Sequence, residues 1–192
     1  MKTAVSIVWM VAFLLLFPLV SHADEAAGSC GLEVHVEPSH SPVVLSSDDS
    51  VTRIHLQVTL RNASDVALTL VEPGDGSERG WRTPIVGWQV VLVGGAYEPP
   101  ELGYCGNINP LTRDEVFTLE PGAKRVLGAW VPSVLASSAG IYRLRLTYKN
   151  DPTLDLSGIS KHDRRAMKAV RASTPCVATS DEIQVEVIGV SK

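Results

Sequence analysis

The equipment of an enzyme is sparse in this chain of 192 residues, which has three cysteines and five histidines. It contains no CxxC pair, no HExxH helix and no glycine-rich phosphate loop, so metal hydrolysis, thiol redox and nucleotide chemistry lack their usual frames. Cys105, His162 and Asn107 are the residues from which a thiol-protease trio would have to be assembled, and nothing in their local sequence supports one. Basic residues are outnumbered 17 to 21 by acidic ones, so the chain has no general attraction for nucleic acid. Aromatic residues make up only 6%, which makes each tryptophan informative.

Long apolar runs are also scarce. The clearest, Val5 to Val20, follows Lys2 and is broken only by Ser6 and Pro18. Ser21-His22-Ala23 then supplies small residues for signal-peptidase cleavage. This pattern predicts a signal peptide over residues 1–23 and a secreted or periplasmic protein over residues 24–192. Pro18 and the short run argue against a stable membrane span. Loss of Lys2 with the leader shifts the net charge from −4 to −5. No linker composition divides residues 24–192, and their number suits a single domain with a sizeable core.

Three cysteines in an oxidising compartment allow one disulfide, with three possible pairings. Cys105 and Cys176 lie in two long turn-rich excursions that need tethering, whereas Cys30 lies seven residues after the expected cleavage site. The expected disulfide is therefore Cys105–Cys176.

Alternation dominates the remainder. Tyr142, Leu144, Leu146 and Tyr148 share one side of the stretch Gly140 to Asn150, with Arg143, Arg145 and Thr147 on the other, the period of a strand with one buried face. Tyr142 stands two residues after Gly140, where sandwich domains place a corner tyrosine. Similar alternation marks Leu32 to Val36, Ile54 to Leu60 and Ile183 to Val187. Ala67 to Val71, Val116 to Leu119 and Lys124 to Val131 read as further strands. Ile85 to Val93 is apolar at nearly every position, which implies cover on both faces or an interface. The pattern predicts an all-β, immunoglobulin-like antiparallel sandwich of seven to eight strands, with one short helix in a long loop before the last strand. That helix follows a Ser160 to Asp163 capping signal and should lie on the sandwich. Asn62-Ala63-Ser64 forms a glycosylation sequon, of consequence only in a eukaryotic secretory pathway.

The segments Leu60-Arg61-Asn62-Ala63-Ser64-Asp65-Val66-Ala67-Leu68-Thr69-Leu70, Phe117-Thr118-Leu119-Glu120-Pro121-Gly122-Ala123 and Ala139-Gly140-Ile141-Tyr142-Arg143-Leu144, in that order, resemble bacterial immunoglobulin-like domains of the intracellular proteinase-inhibitor type. The resemblance covers about Val51 to Asn150 and implies the sandwich fold and, as an expectation, inhibition of a proteinase. The export leader, the cysteines and two long insertions depart from that type, and no inhibitory loop matches residue by residue.

Two surfaces are candidates for recognition. Trp81 and Arg82 follow the glycine-rich stretch Gly74-Asp75-Gly76, and tryptophan and arginine are the residues that most often anchor binding surfaces. Arg164, Arg165 and Lys168, flanked by Lys161 and Arg171, form a basic helix face suited to an acidic protein or an anionic surface polymer; such a run is otherwise a solvated face. Trp88 and Trp130 read as core. A metal site is conceivable if the first two strands form a hairpin centred near Leu45, which would set His35 opposite His55; a shift of register would destroy it. The resulting expectation is an exported, non-enzymatic module without a cofactor that binds a protein or surface polymer. An extracytoplasmic proteinase inhibitor and a metal-binding accessory protein are the alternatives.

Overall fold

The computed structural model describes residues 30–45, 51–100, 109–154 and 164–189. Its elements in chain order are β1 (Leu32–Pro38), β2 (Val43–Val44), β3 (Thr52–Asn62), β4 (Leu68–Val71), β5 (Ile85–Leu92), β6 (Val116–Leu119), β7 (Lys124–Val126), β8 (Ser133–Ala136), β9 (Gly140–Asn150), α1 (Arg164–Arg171), β10 (Cys176–Thr179) and β11 (Ile183–Ile188). Together they form an all-β, immunoglobulin-like sandwich with one helix.

The eleven residues of β9 put Tyr142, Leu144, Leu146 and Tyr148 on the buried side, each fully excluded from solvent. A strand buried so completely on one face needs neighbours on both edges, and it has them. β5 runs antiparallel along one edge, and β10 and β11 pair successive stretches of the other. β2 extends this sheet by pairing parallel with β11. In the facing sheet β3 is central, with β1 antiparallel to it and β7 and β8 pairing successive stretches. β4 and β6 form a separate antiparallel pair. Ile54, Leu56, Val58 and Leu60 of β3 meet the β9 row in one apolar core.

The corner tyrosine is present. Tyr142 is buried, and its hydroxyl donates to the carbonyl of Ser138, 2.9 Å away. Between the pairs Thr179↔Thr147 and Ile183↔Leu144 one strand advances four residues while β9 advances three, so one residue is inserted as a bulge. Ser180 sits there, its hydroxyl accepting the Leu146 N–H at 3.0 Å and its own N–H donating to the Leu146 carbonyl. This bulge shifts the phase of burial from Cys176 and Ala178 to Val185 and Val187.

The strand count exceeds the expected seven to eight because three short strands, β2, β8 and β10, carry little pattern. The expected strand Lys124 to Val131 ends at Val126. The Leu127 N–H donates to the Val58 carbonyl and the Leu56 N–H to the Pro132 carbonyl, so residues 128–131 loop away from one edge of β3 before β8 rejoins it. β10, a four-residue strand that begins directly after Pro175, lies in what reads as loop.

The cysteine pairing also differs from expectation. Cys176 is joined to Cys30, with Cα atoms 5.4 Å apart, and not to Cys105, which lies outside the described residues. The physical reason is placement. Cys30 leads directly into β1 and packs against the core, and Cys176 opens β10 on the opposite sheet. The bridge ties the two layers together, as disulfides do in oxidising compartments.

Asn62 is a clamp at the end of β3. It is fully buried, and its amide donates to the carbonyls of Val66 and Leu119 while its oxygen accepts from the N–H and hydroxyl of Ser64. In the folded domain this sequon presents no side chain for glycosylation.

Candidate functional site

A polar groove of about 930 Å³ opens at one end of the sandwich, between the loop after β4 and the loop that leads into β8. Its first wall starts from backbone chemistry. Gly76 and Gly80 have φ of 89° and 68°, the left-handed region glycine occupies without strain, and they bracket a short 3-10 turn over Ser77–Arg79. Ser77 is buried, its hydroxyl accepting the Gly74 N–H at 3.1 Å. The Trp81 N–H closes the loop on the Gly76 carbonyl at 2.9 Å. Asp75 accepts a hydrogen bond from Asn109 at 2.7 Å, which pins the loop from outside. The outcome is a fixed platform carrying Trp81 at 42% exposure, with the Arg79 guanidinium 5.6 Å from the centre of its ring.

Arg82 has a different part from the one the sequence suggests. It is only 1% exposed, and its guanidinium donates to Glu115 at 2.8 Å. Arg82 is thus no exposed recognition residue, because Glu115, 33 positions later, draws it inward beneath the groove. A Cβ at Gly74 would lie 3.0 Å from its Nη1, so glycine is what lets the backbone close over the pair. Glu115 also accepts from the Thr112 N–H and hydroxyl.

The opposite wall is built on Glu72. Its carboxylate is buried and accepts from Arg125 at 2.6 Å and from the N–H groups of Gly128 and Ala129 at 2.9 and 2.8 Å. Burial pushes this carboxyl up, but the Ala129 N–H, Arg125 and the Gly128 N–H more than offset it, and the group sits below its usual range. That clamp shapes the 128–131 loop and fixes Trp130, which is buried and stacks on Trp88 with ring centres 6.4 Å apart. Trp130 is core, as expected from sequence, whereas Trp88, also read as core, is only half-buried against it.

Glu78 lines both this groove and the cleft that adjoins it. It is open to solvent yet surrounded by protein in a concavity, and the loss of surrounding water raises its carboxyl, against the pull of the Trp88 and Trp130 indoles and of Arg79 and Arg53. The Trp88 N–H is near enough to favour the carboxylate but falls short of hydrogen-bond geometry, and it has no partner among the described residues. Past Glu78 and Ser133 the groove continues into an apolar cleft of about 380 Å³ between β5 and β8, lined by Val86, Trp88, Val90, Tyr97, Val134 and Leu135.

The basic helix face is present in part. Arg164, Arg165 and Lys168 are exposed on α1, while Ala166 and Val170 pack onto Val71, Leu111 and Val116. Lys161 and the capping signal lie outside the described residues. Sequence thus placed Trp81 and the helix cations on the surface but missed Glu78 and Arg53, for which an isolated charge in a loop or strand gives no signal.

His35 and His55 are not brought together. His35 faces Thr59, and the pairing runs from Leu32↔Asn62 to Pro38↔Leu56, so His55 lies four residues from the position opposite His35, about 14 Å along the strand. The hairpin assumed for them does not exist, because the chain after β1 crosses to the other sheet as β2 before returning as β3. His35 instead lies 3.5 Å from Glu33. Among the described residues no group of three metal-ligating side chains converges. Cys105, Asn107 and His162 lie outside them.

The fold places the chain among immunoglobulin-like β-sandwiches. No family model matches it, and no curated protein matches it. A solved structure similar to it is the crystal structure of native alpha-2-macroglobulin from Escherichia coli, spanning the residues from domain MG7 to the C-terminus. The two share 12% identity at a TM-score of 0.37, over 84% of this chain and 17% of that one.

Proposed function

We propose that this chain is an exported, non-enzymatic binding module that recognises a protein or surface polymer through the groove at Trp81. The observation that carries the reading is a half-exposed tryptophan held beside Arg79 at the mouth of a large groove, on a loop closed by its own backbone hydrogen bonds and by Ser77. Large aromatic side chains fixed next to arginine give contact area at little cost in lost freedom. The disulfide between the two layers is in keeping with export, as is the leader read from the sequence. The basic face of α1 is a second contact surface for an acidic partner, adjacent to the same end of the domain because α1 packs on Leu111 and Val116, which flank Arg113–Glu115.

The test is recovery of a binding partner from envelope extract by the mature protein, set against Trp81→Ala and against charge reversal at Arg164, Arg165 and Lys168. Loss of recovery with Trp81→Ala supports the groove, and loss with the helix variant supports α1. Equal recovery by all three proteins removes the proposal. Inhibition of a proteinase panel, by contrast, would favour the inhibitor reading.

A further inference from the structure

We propose that β5 is a docking edge, and that its occupant is an extended segment of a partner protein with apolar residues at alternate positions and acidic residues between them. This deepens the binding reading above by naming the class of partner. Among the described residues β5 pairs only with β9. The Val93 N–H donates to the Ile141 carbonyl, so the odd-numbered residues of β5 turn their backbone groups towards β9 and the even-numbered ones turn theirs away. The outward N–H and carbonyl groups of Val86, Trp88 and Val90 therefore recur about every 7 Å along a free edge, with no hydrogen-bond partner among the described residues.

Free strand edges are ordinarily protected by charge, proline or a covering element. Ile85–Leu92 carries none of the first two. Beside this edge lies the apolar cleft of about 380 Å³, open towards β8, whose Ser133 and Leu135 also turn away from β3. Tyr97 ties its far end, donating to the Leu135 carbonyl at 3.1 Å. A strand laid along β5 would direct alternate side chains into this cleft, the arrangement of strand-addition complexes in which backbone bonds give affinity and pockets give specificity.

The outer face of the same sheet selects the charge of the occupant. Arg143, Arg145 and Lys149 of β9 form a row there. Arg143 pairs with Glu182 at 3.5 Å and Lys149 with Asp151 at 3.2 Å. Arg145 is exposed and has no ion-pair partner among the described residues. Among the described residues only Gln89 and Gly87 stand between it and an added strand, and the space over Gly87 is open. An acidic residue on the outer side of the added strand completes the row. A second copy of β5 contains no acidic residue and leaves Arg145 unanswered, so charge favours a different protein over self-pairing.

The probes are acetylated, amidated seven-residue peptides that alternate valine, leucine or phenylalanine with aspartate, the same series with lysine, and the aspartate series N-methylated at alternate amides. Each is titrated calorimetrically into the disulfide-bonded protein. The proposal expects saturable binding in the aspartate series, at least tenfold weaker binding with lysine, and loss on N-methylation in one of the two alternate frames. Arg145→Glu, an exposed substitution, should reverse the preference between aspartate and lysine. Val90→Pro, which removes an N–H on the free edge and leaves the β9 ladder intact, should abolish binding of both. Absence of binding throughout the aspartate series, equal affinity for the two charges, or indifference to N-methylation in both frames overturns it. Sedimentation showing a dimer that Val90→Pro dissolves also overturns it, in favour of self-pairing. Failure here with the Trp81 effect retained leaves the groove reading intact, and the reverse result separates the two in the other direction.

Discussion

The hydroxyl of Tyr142 donates to the backbone carbonyl of Ser138, four residues upstream and 2.9 Å away. That bond fixes the entry into β9, the strand on which the whole second sheet is assembled. Tyr142→Phe keeps the ring in the core and deletes only the bond. The expected cost is about 1 kcal/mol, read as a lower urea midpoint with an unchanged slope.

Cys30–Cys176 closes a chain segment of 146 residues, for which the chain-entropy model gives about 5 kcal/mol. A Cys30→Ser or Cys176→Ser variant should lose up to that amount, whereas Cys105→Ser should leave stability nearly unchanged. Non-reducing peptide mapping that recovers Cys176 linked to Cys105 would refute the pairing.

Glu72 should make stability depend on acid. Its carboxyl is held below its ordinary range in the folded state, so its contribution is fully present above the unfolded value, about 4.3. That contribution falls away as pH drops through the lower folded value. Thermal unfolding between pH 7 and pH 3 should show a loss that is shallower in Glu72→Gln. The same variant should cost about 1.5–3 kcal/mol at pH 7, because charge-assisted bonds to Arg125, Gly128 and Ala129 are weakened together. A pH profile unaltered by the substitution would contradict this role.

Arg82 and its neighbour Trp81 should behave in opposite ways. Arg82→Ala removes a fully buried guanidinium and leaves the partly buried Glu115 without its cation, which should cost about 1–3 kcal/mol, visible in chemical unfolding. Trp81→Ala touches a half-exposed ring and should stay within about 0.5 kcal/mol of the parent. Equal sensitivity of the two positions would mean that the loop is not built as described.

The parts of the fold that could be read in advance were those whose cause is local. Strict alternation in β1, β3, β9 and β11 follows from one buried face, and the Tyr142 corner follows from its distance to Gly140. The parts that could not were set by partners distant in sequence. Arg82 looks like a surface anchor until Glu115 is placed against it. The register of β1 on β3 depends on β2 leaving for the other sheet, which no residue near His35 or His55 announces. Cys30 looked like part of a tail because nothing local shows that β1 faces β10 across the core. β5 is the intermediate case: its apolar run implies cover on both faces or an interface, and only the topology shows that among the described residues it is an edge strand.

The most direct test of the binding account is affinity for one identified partner, once recovered from envelope extract, measured for the parent protein and for Trp81→Ala at matched folding stability. The account predicts at least a tenfold loss on removing the ring, with the unfolding midpoint unchanged. Equal affinity of the two proteins, with both fully folded, would contradict it.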